Sequence, residues 1–230
     1  MSLNHANIVR VFGGSLSPRP FIVMEYCELG SLDRIISETK RYNIENAHRL
    51  TWSKHLASGL AFLHLKRVLH RDVKSMNVLV DNMCRAKLSD LGLASHHTSS
   101  SSFRRTQNSL EGGTINWISP EGLKKRSYNV ACDMWGYGLI VYHIIEGKQP
   151  FAEEPDISAA INKINLDRTK MNSSGTPKVL RDVFKNCVQV DARKRPCAAA
   201  VLEFIEAAEE RESKTTLSDN ELMNMLLDEE

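Results

Sequence analysis

Two short runs rich in Ile, Val and Phe, Ile8 to Phe12 and Phe21 to Tyr26, flank a Gly13-Gly14 pair and a Ser/Pro loop. Runs of β-branched and aromatic residues separated by turn residues predict an antiparallel pair of strands. From Asn46 to Lys66 the period changes. Leu50, Leu56, Ala57, Leu60, Ala61 and Leu63 recur at helical spacing and predict a long amphipathic helix. Further helices are predicted at Val130 to Glu146, Asp156 to Leu166, Lys178 to Cys187 and Cys197 to Glu212. The longest mostly apolar run, Trp135 to Ile145, is too short to span a bilayer and reads as a buried core helix.

Two stretches break this pattern. Between Gly92 and Gly112 the chain turns to Ser95, Thr98, Ser99, Ser100, Ser101, Ser102 and Arg104-Arg105, which bury no face and predict a mobile loop. After about Glu206 it becomes acidic. There Ser218-x-x-Glu221 stands ahead of Leu222, Met223, Met225, Leu226 and Leu227 with the spacing of a capping box, so a short frayed or docking helix is expected.

Composition narrows the function classes. With 230 residues, 42% hydrophobic and 25% charged, the chain is long enough to bury a substantial core. A formal net charge of +2 is too small to argue for nucleic acid or an anionic membrane as the main partner. The five cysteines, Cys27, Cys84, Cys132, Cys187 and Cys197, form no Cys-x-x-Cys pair and are odd in number. Neither a disulfide framework nor a zinc site is suggested, and a reducing, cytoplasmic setting fits best. No basic start followed by an apolar stretch reads as a secretory signal.

The chemistry is concentrated between Leu69 and Ala94. Leu-His-Arg-Asp-Val-Lys-Ser-Met-Asn places His70, Arg71, Asp72, Lys74 and Asn77 in one short loop, and Leu-Ser-Asp-Leu-Gly-Leu-Ala places Asp90 and Gly92 thirteen or more positions after Asn77. This spacing resembles the eukaryotic protein kinase family. The resemblance implies an α+β, protein-kinase-like fold with a mainly helical large lobe and a truncated small lobe of about two strands. In outline, residues 1–27 would be the small-lobe remnant, 28–212 the large lobe and 213–230 an acidic tail.

The same resemblance implies the residue roles. Asp72 would accept the hydrogen bond of the substrate hydroxyl, and Lys74 would lie against the transferred phosphate. Asn77 and Asp90 would hold magnesium. Ile22-Val23-Met24-Glu25-Tyr26-Cys27 looks like the lobe-connecting hinge, with Met24 gating the back pocket, the backbone of Glu25 and Cys27 facing the adenine, and Leu79 lying under the ring. A buried Cys27 is expected to be inert. Lys74 is the residue type of serine/threonine and tyrosine-kinase-like kinases, so the acceptor would be Ser or Thr of a protein substrate and the donor ATP.

Gly113-Thr114 with Trp117 and Ser119-Pro120-Glu121 looks like the segment that ends in Ala-Pro-Glu, with Ser119 replacing alanine. Together with Glu28-Leu29-Gly30-Ser31-Leu32 it points to the tyrosine-kinase-like group. Leu91 replaces the Phe of Asp-Phe-Gly, a change of packing volume that leaves metal binding intact. Asp133 would hydrogen-bond the catalytic-loop backbone, and Glu121 with Arg195 would form a buried ion pair. Phosphate placed on Thr98, Ser99 to Ser102, Thr106 or Ser109 by an upstream activating kinase could pair with Arg71 in signal transduction.

The resemblance starts late. Leu3 to Val9 look like the junction between the family's αC helix and its fourth strand, and no Gly-x-Gly-x-x-Gly and no Val-Ala-x-Lys occurs in the chain. An incomplete gene model or a fragment is expected, with a short isoform as the alternative. Without the loop and the lysine that grip the phosphates, activity of the chain alone is expected to be negligible. A kinase-like binding or scaffold module without catalysis is the alternative function, and a metal-dependent hydrolase a remote third.

Overall fold

The computed structural model describes residues 3–38, 41–93, 95–96, 114–123, 128–151 and 175–211. The helix expected at Asp156 to Leu166, most of the serine-rich stretch and the tail after Glu212 lie outside the described residues. The rest is mainly helical with three small sheets, as expected for an α+β chain.

The chain opens with an antiparallel ribbon of β1 (Val11–Ser15) and β2 (Phe21–Met24), paired Val11 to Met24 and Ser15 to Phe21. Gly14 is required here, because a Cβ on it would lie 2.4 Å from the Phe21 carbonyl oxygen. The first strand begins three residues later than the pattern predicts. Ile8 instead forms a parallel bridge with Leu88, and its neighbours exchange hydrogen bonds with that residue: the Val9 N–H donates to the Leu88 carbonyl at 2.9 Å and the Leu88 N–H to the Asn7 carbonyl at 2.9 Å. Burial of the Ile8 side chain explains the switch, since the apolar residue is worth more in the core than in an open ribbon. The ribbon itself stays open: Val11, Phe12 and all of β2 are 46–66% exposed.

A second sheet takes β3 (Gly30–Ser31), β5 (Val78–Val80) and β6 (Ala86–Leu88) in that order, all antiparallel. Between β3 and β5 come α1 (Leu32–Ser37), α2 (Asn46–Leu65) and β4 (Val68–Leu69). Ser31 caps α1 by accepting from the Arg34 N–H at 3.3 Å. At the start of α2 the Glu45 N–H donates to His48 Nδ1 at 3.2 Å, and the helix buries Trp52, Leu56, Leu60 and Leu63. β4 pairs with β7 (Ser95–His96), so two residues expected in a loop form a strand instead.

The core is built around α4 (Val130–Glu146), which follows the short α3 (Pro120–Leu123). Asn129 caps α4 by accepting from the Ala131 N–H at 2.9 Å, and Gly147, at φ 68°, ends it in a left-handed turn. In between, Met134, Trp135, Tyr137, Leu139, Ile140 and Val141 are fully buried, as expected of a helix that is apolar all round. α2 packs on it, as does α5 (Lys178–Cys187), so closely that a Cβ on Gly138 would lie 2.7 Å from Cys187 Cβ. The last helix, α6, runs over 198–211 and buries Val201 and Ile205.

Candidate active site

The loop between β4 and β5 carries Asp72, Lys74 and Asn77, and buried polar groups fix its shape. Asp133, fully buried on α4, accepts from the His70 N–H at 3.0 Å and the Arg71 N–H at 2.9 Å. It also bonds His64 Nε2 at 2.9 Å and accepts from the Tyr128 hydroxyl at 3.1 Å. These donors allow Arg71 to hold a left-handed φ of 70°, a conformation that a residue with a Cβ resists without surrounding support.

Three expected site residues meet directly. Asp72 is 8% exposed, and its Oδ2 lies 2.9 Å from Lys74 Nζ and accepts from Asn77 Nδ2 at 2.8 Å. The same amide donates to the Asp72 carbonyl at 3.0 Å, so its Oδ1 is the acceptor turned to other partners. Asp90 joins this group through its neighbour: the Ser89 N–H and hydroxyl both donate to the Asn77 carbonyl at 2.9 Å. Asp90 itself is exposed, at a left-handed φ of 55°, and its Oδ1 accepts from the Gly92 N–H at 3.4 Å. Leu91 packs partly into the core, as its apolar character leads one to expect.

Met24, Glu25 and Cys27 lie where β2 leads into β3, and Leu79 stands on β5, the strand beside β3. Met24 is exposed, Cys27 buried and Leu79 half-buried, opposite Ser31 on β3 and Lys87 on β6. Burial, and then the nearby Glu25 charge, push the Cys27 thiol above its ordinary range, which keeps it protonated and poorly nucleophilic. The Leu29 N–H donates to the Val80 carbonyl at 3.1 Å and ties the end of this segment to β5.

Motifs do not reveal the network behind Lys74. Ser75, fully buried, donates from its hydroxyl to Asp33 Oδ1 at 2.9 Å, and Gln149 Nε2 donates to the same oxygen at 2.8 Å. His143 Nδ1 lies 3.0 Å from the Ser75 hydroxyl oxygen. Because the single serine proton is engaged by the carboxylate, Nδ1 must carry the proton of the neutral ring and donate. Burial holds His143 below its ordinary pKa and so keeps it neutral. One signal for this cluster exists in the sequence: His143 is the polar residue inside the apolar run Trp135 to Ile145.

The family described as protein tyrosine and serine/threonine kinase matches residues 1–205. The chain belongs to the eukaryotic protein kinase family, serine/threonine type. Among relatives of this kinase chain, mitogen-activated protein kinase kinase kinase 5 of Arabidopsis thaliana is 33% identical over 210 residues, which are 88% of this chain and 28% of the relative. The kinase kinase kinase YODA of the same plant is 31% identical over 206 residues, 87% of this chain and 22% of the relative. A probable serine/threonine-protein kinase of Dictyostelium discoideum is 30% identical over 207 residues, 87% of this chain and 12% of the relative. The kinase chain thus spans less than a third of the length of these relatives.

Members of the family use ATP and magnesium, and the donors present suit that ion. Amide and carboxylate oxygens are the hard ligands magnesium takes, one or two from protein and the rest from water and phosphate. Asn77 and Asp90 offer one of each, and among the described residues no cluster of three or more His, Cys, Asp or Glu forms a cage of its own. No helix among the described residues is long and apolar enough to cross a membrane.

One contact gives this kinase loop a test. A Cβ on Gly136 of α4 would lie 2.5 Å from the Val73 carbonyl oxygen and 2.9 Å from Val73 Cβ, beside Asp72. Gly136→Ala therefore forces the loop or the helix to move, at a cost of about 1–3 kcal/mol. Thermal unfolding is expected to show a midpoint lower by roughly 2–12 °C.

Proposed function

We propose that this chain is the greater part of a protein serine/threonine kinase domain that transfers the γ-phosphate of ATP to Ser or Thr of a protein substrate. The observation that carries this is the Asp72 carboxylate, aimed by Lys74 and Asn77 and tied through Ser89 to the segment bearing Asp90. In-line transfer needs a positioned hydroxyl and charge neutralisation more than covalent help, and this group supplies both.

Each residue has a part. Asp72 accepts the hydrogen bond of the acceptor hydroxyl and so turns a lone pair of that oxygen toward phosphorus. Lys74 neutralises charge on the phosphoryl oxygens. Asn77 and Asp90 hold magnesium, which supplies positive charge at the nucleotide phosphates. Met24 bounds the back of the nucleotide site, the backbone of Glu25 and Cys27 meets the adenine edge, and Leu79 lies beneath the ring. Residues 1–27 form the small-lobe part, 28–212 the large lobe and 213–230 a tail. The tyrosine-kinase-like group, a cytoplasmic setting and control by an upstream kinase complete the proposal; the kinase kinase kinase names of two relatives support a signalling role.

A kinase-like binding module is the second reading, favoured by the lack of any Gly-x-Gly-x-x-Gly or Val-Ala-x-Lys in these residues. Thermal shift of the purified chain separates the two. A rise in midpoint with ATP and magnesium that Asp90→Asn weakens supports the kinase; no shift supports the binding module. Phosphoryl transfer by these residues alone is expected to be negligible. Magnesium-dependent labelling of a protein substrate, abolished by Asp72→Asn, would overturn that expectation.

A further inference from the structure

Lys87 stands in the middle of β6 and is only 5% exposed. An ammonium group taken out of water persists as a charge only when paired, so its partners define its purpose. Its Nζ is hydrogen-bonded to the Glu25 carboxylate, while the Asp81 carboxylate lies further off, at 3.7 Å from Oδ2. Asp81 is engaged elsewhere: it accepts from the Met83 and Arg85 N–H groups at 3.0 Å and from Arg85 Nε at 2.8 Å. Glu25 is therefore the partner that Lys87 serves.

Glu25 is held from a second side. Its Oε2 accepts from the Arg10 N–H at 3.1 Å, and its own N–H donates to the Arg10 carbonyl at 2.8 Å. Burial pushes the Glu25 carboxyl up, but the hydrogen bonds from Lys87 and Arg10 outweigh it and hold it below its ordinary range. The segment from Glu25 to Leu29 is thus fastened at its start to β6 through Lys87 and at its end to β5 through Val80. Those two strands adjoin the phosphate end of the site, since Asn77 immediately precedes β5 and Asp90 follows β6 by two residues.

We propose that Lys87 is a positioning residue for nucleotide binding: through Glu25 it locks the backbone of residues 25–27 to β6, so that the adenine-facing edge and the phosphate-facing residues keep one fixed separation. This rests on the assignment of Glu25 and Cys27 to the adenine edge. A free lysine on a surface strand would tolerate any polar replacement; a buried one tied to a hinge carboxylate would not. Loss of the tie frees the segment without touching Asp72, Asn77 or Asp90.

The test uses the 230-residue chain with Lys87→Met, Glu25→Gln and the double variant. Peptide-level hydrogen exchange without ligand reads residues 25–27. Calorimetric titration with adenosine, and separately with magnesium tripolyphosphate, reads the two ends of the site. Lys87→Met is expected to speed exchange at residues 25–27 and to weaken adenosine roughly tenfold, the scale of one lost charge-assisted hydrogen bond, with tripolyphosphate unchanged. The double variant is expected to be no weaker than the single ones, because both remove one link. If Lys87→Met does not fold, Glu25→Gln weakens the same link from its more exposed end, because it removes the charge and leaves one amide oxygen for both Lys87 and the Arg10 N–H, and it reads the same quantities. Unchanged exchange, unchanged adenosine affinity, or an equal loss of tripolyphosphate would overturn the proposal. A wild-type chain that binds no adenosine would overturn the nucleotide assignment and the adenine role of Lys87 together, while faster exchange in Lys87→Met would still support the lock itself.

Discussion

Replacing Asp133 by alanine is expected to cost about 3–5 kcal/mol, the scale of removing one partner of a buried charged network. Its carboxylate, itself fully buried, serves His64, the His70 and Arg71 N–H groups and the Tyr128 hydroxyl, and alanine offers them no acceptor in its place. Urea unfolding at pH 7 measures the loss. The same group gives stability a pH dependence of predictable sign. Burial pushes the Asp133 carboxyl up, but the His64 hydrogen bond and charge, His70 and the Arg71 N–H outweigh it and hold it below its ordinary value of 3.8. A carboxyl whose pKa is depressed by folding contributes stability above the unfolded value, and that contribution is lost as pH falls through the folded one. Glu121 acts in the same sense from an ordinary value of 4.5. The urea midpoint is expected to fall below about pH 4, and less steeply in Asp133→Asn.

The second large effect is expected at Arg195. Its side chain is fully buried, and its guanidinium donates to Glu121 Oε1 at 2.6 Å and Oε2 at 2.9 Å, and to the carbonyls of Gln189 and Ala131 at 2.7 Å. It also lies 5.0 Å from the centre of the Trp135 ring. Arg195→Met keeps the aliphatic stem but leaves the Glu121 carboxylate facing an apolar group. The expected cost is about 3–5 kcal/mol, or roughly 6–20 °C in unfolding midpoint. The Cys132 thiol softens the loss only slightly: it donates to Glu121 Oε1 at 3.2 Å, and burial, which pushes it up to about 12, keeps it a neutral donor. Calorimetry on Arg195→Met, Glu121→Gln and the pair distinguishes the cost of an orphaned charge from the value of the bridge. The double variant is expected to be more stable than the sum of the single losses predicts.

What could be read from the chain depended on how far apart the partners lie. α4 and α5 were predicted at the bounds observed, because an apolar run and a helical stripe are local signals. Asp72, Lys74 and Asn77 lie within one six-residue loop, so their meeting was legible too, and the predicted anchors Asp133 and the Glu121–Arg195 pair carry the expected contacts. The first strand begins at Val11 and not at Ile8, which has the same local appearance, because only the distant Leu88 distinguishes them. Likewise β7 has no local signal of its own, since the partner that makes Ser95 and His96 a strand is Val68 and Leu69, far back in the chain. The cluster of Asp33, Ser75, His143 and Gln149 joins residues 42 to 116 positions apart, and no periodicity encodes such a meeting.

The two glycines of α4 have a further meaning when taken together. Gly136 and Gly138 are two residues apart, about 200° around a helix, so they face nearly opposite sides. One side admits Val73 and the other Cys187, each nearer than a methyl group allows. The helix is therefore a partition wall of minimum thickness between the loop bearing Asp72 and α5. Any added atom on either side widens the wall. Substitutions at these two buried positions will act as gauge errors on the spacing of the Asp72 loop, α4 and α5, however conservative their chemistry.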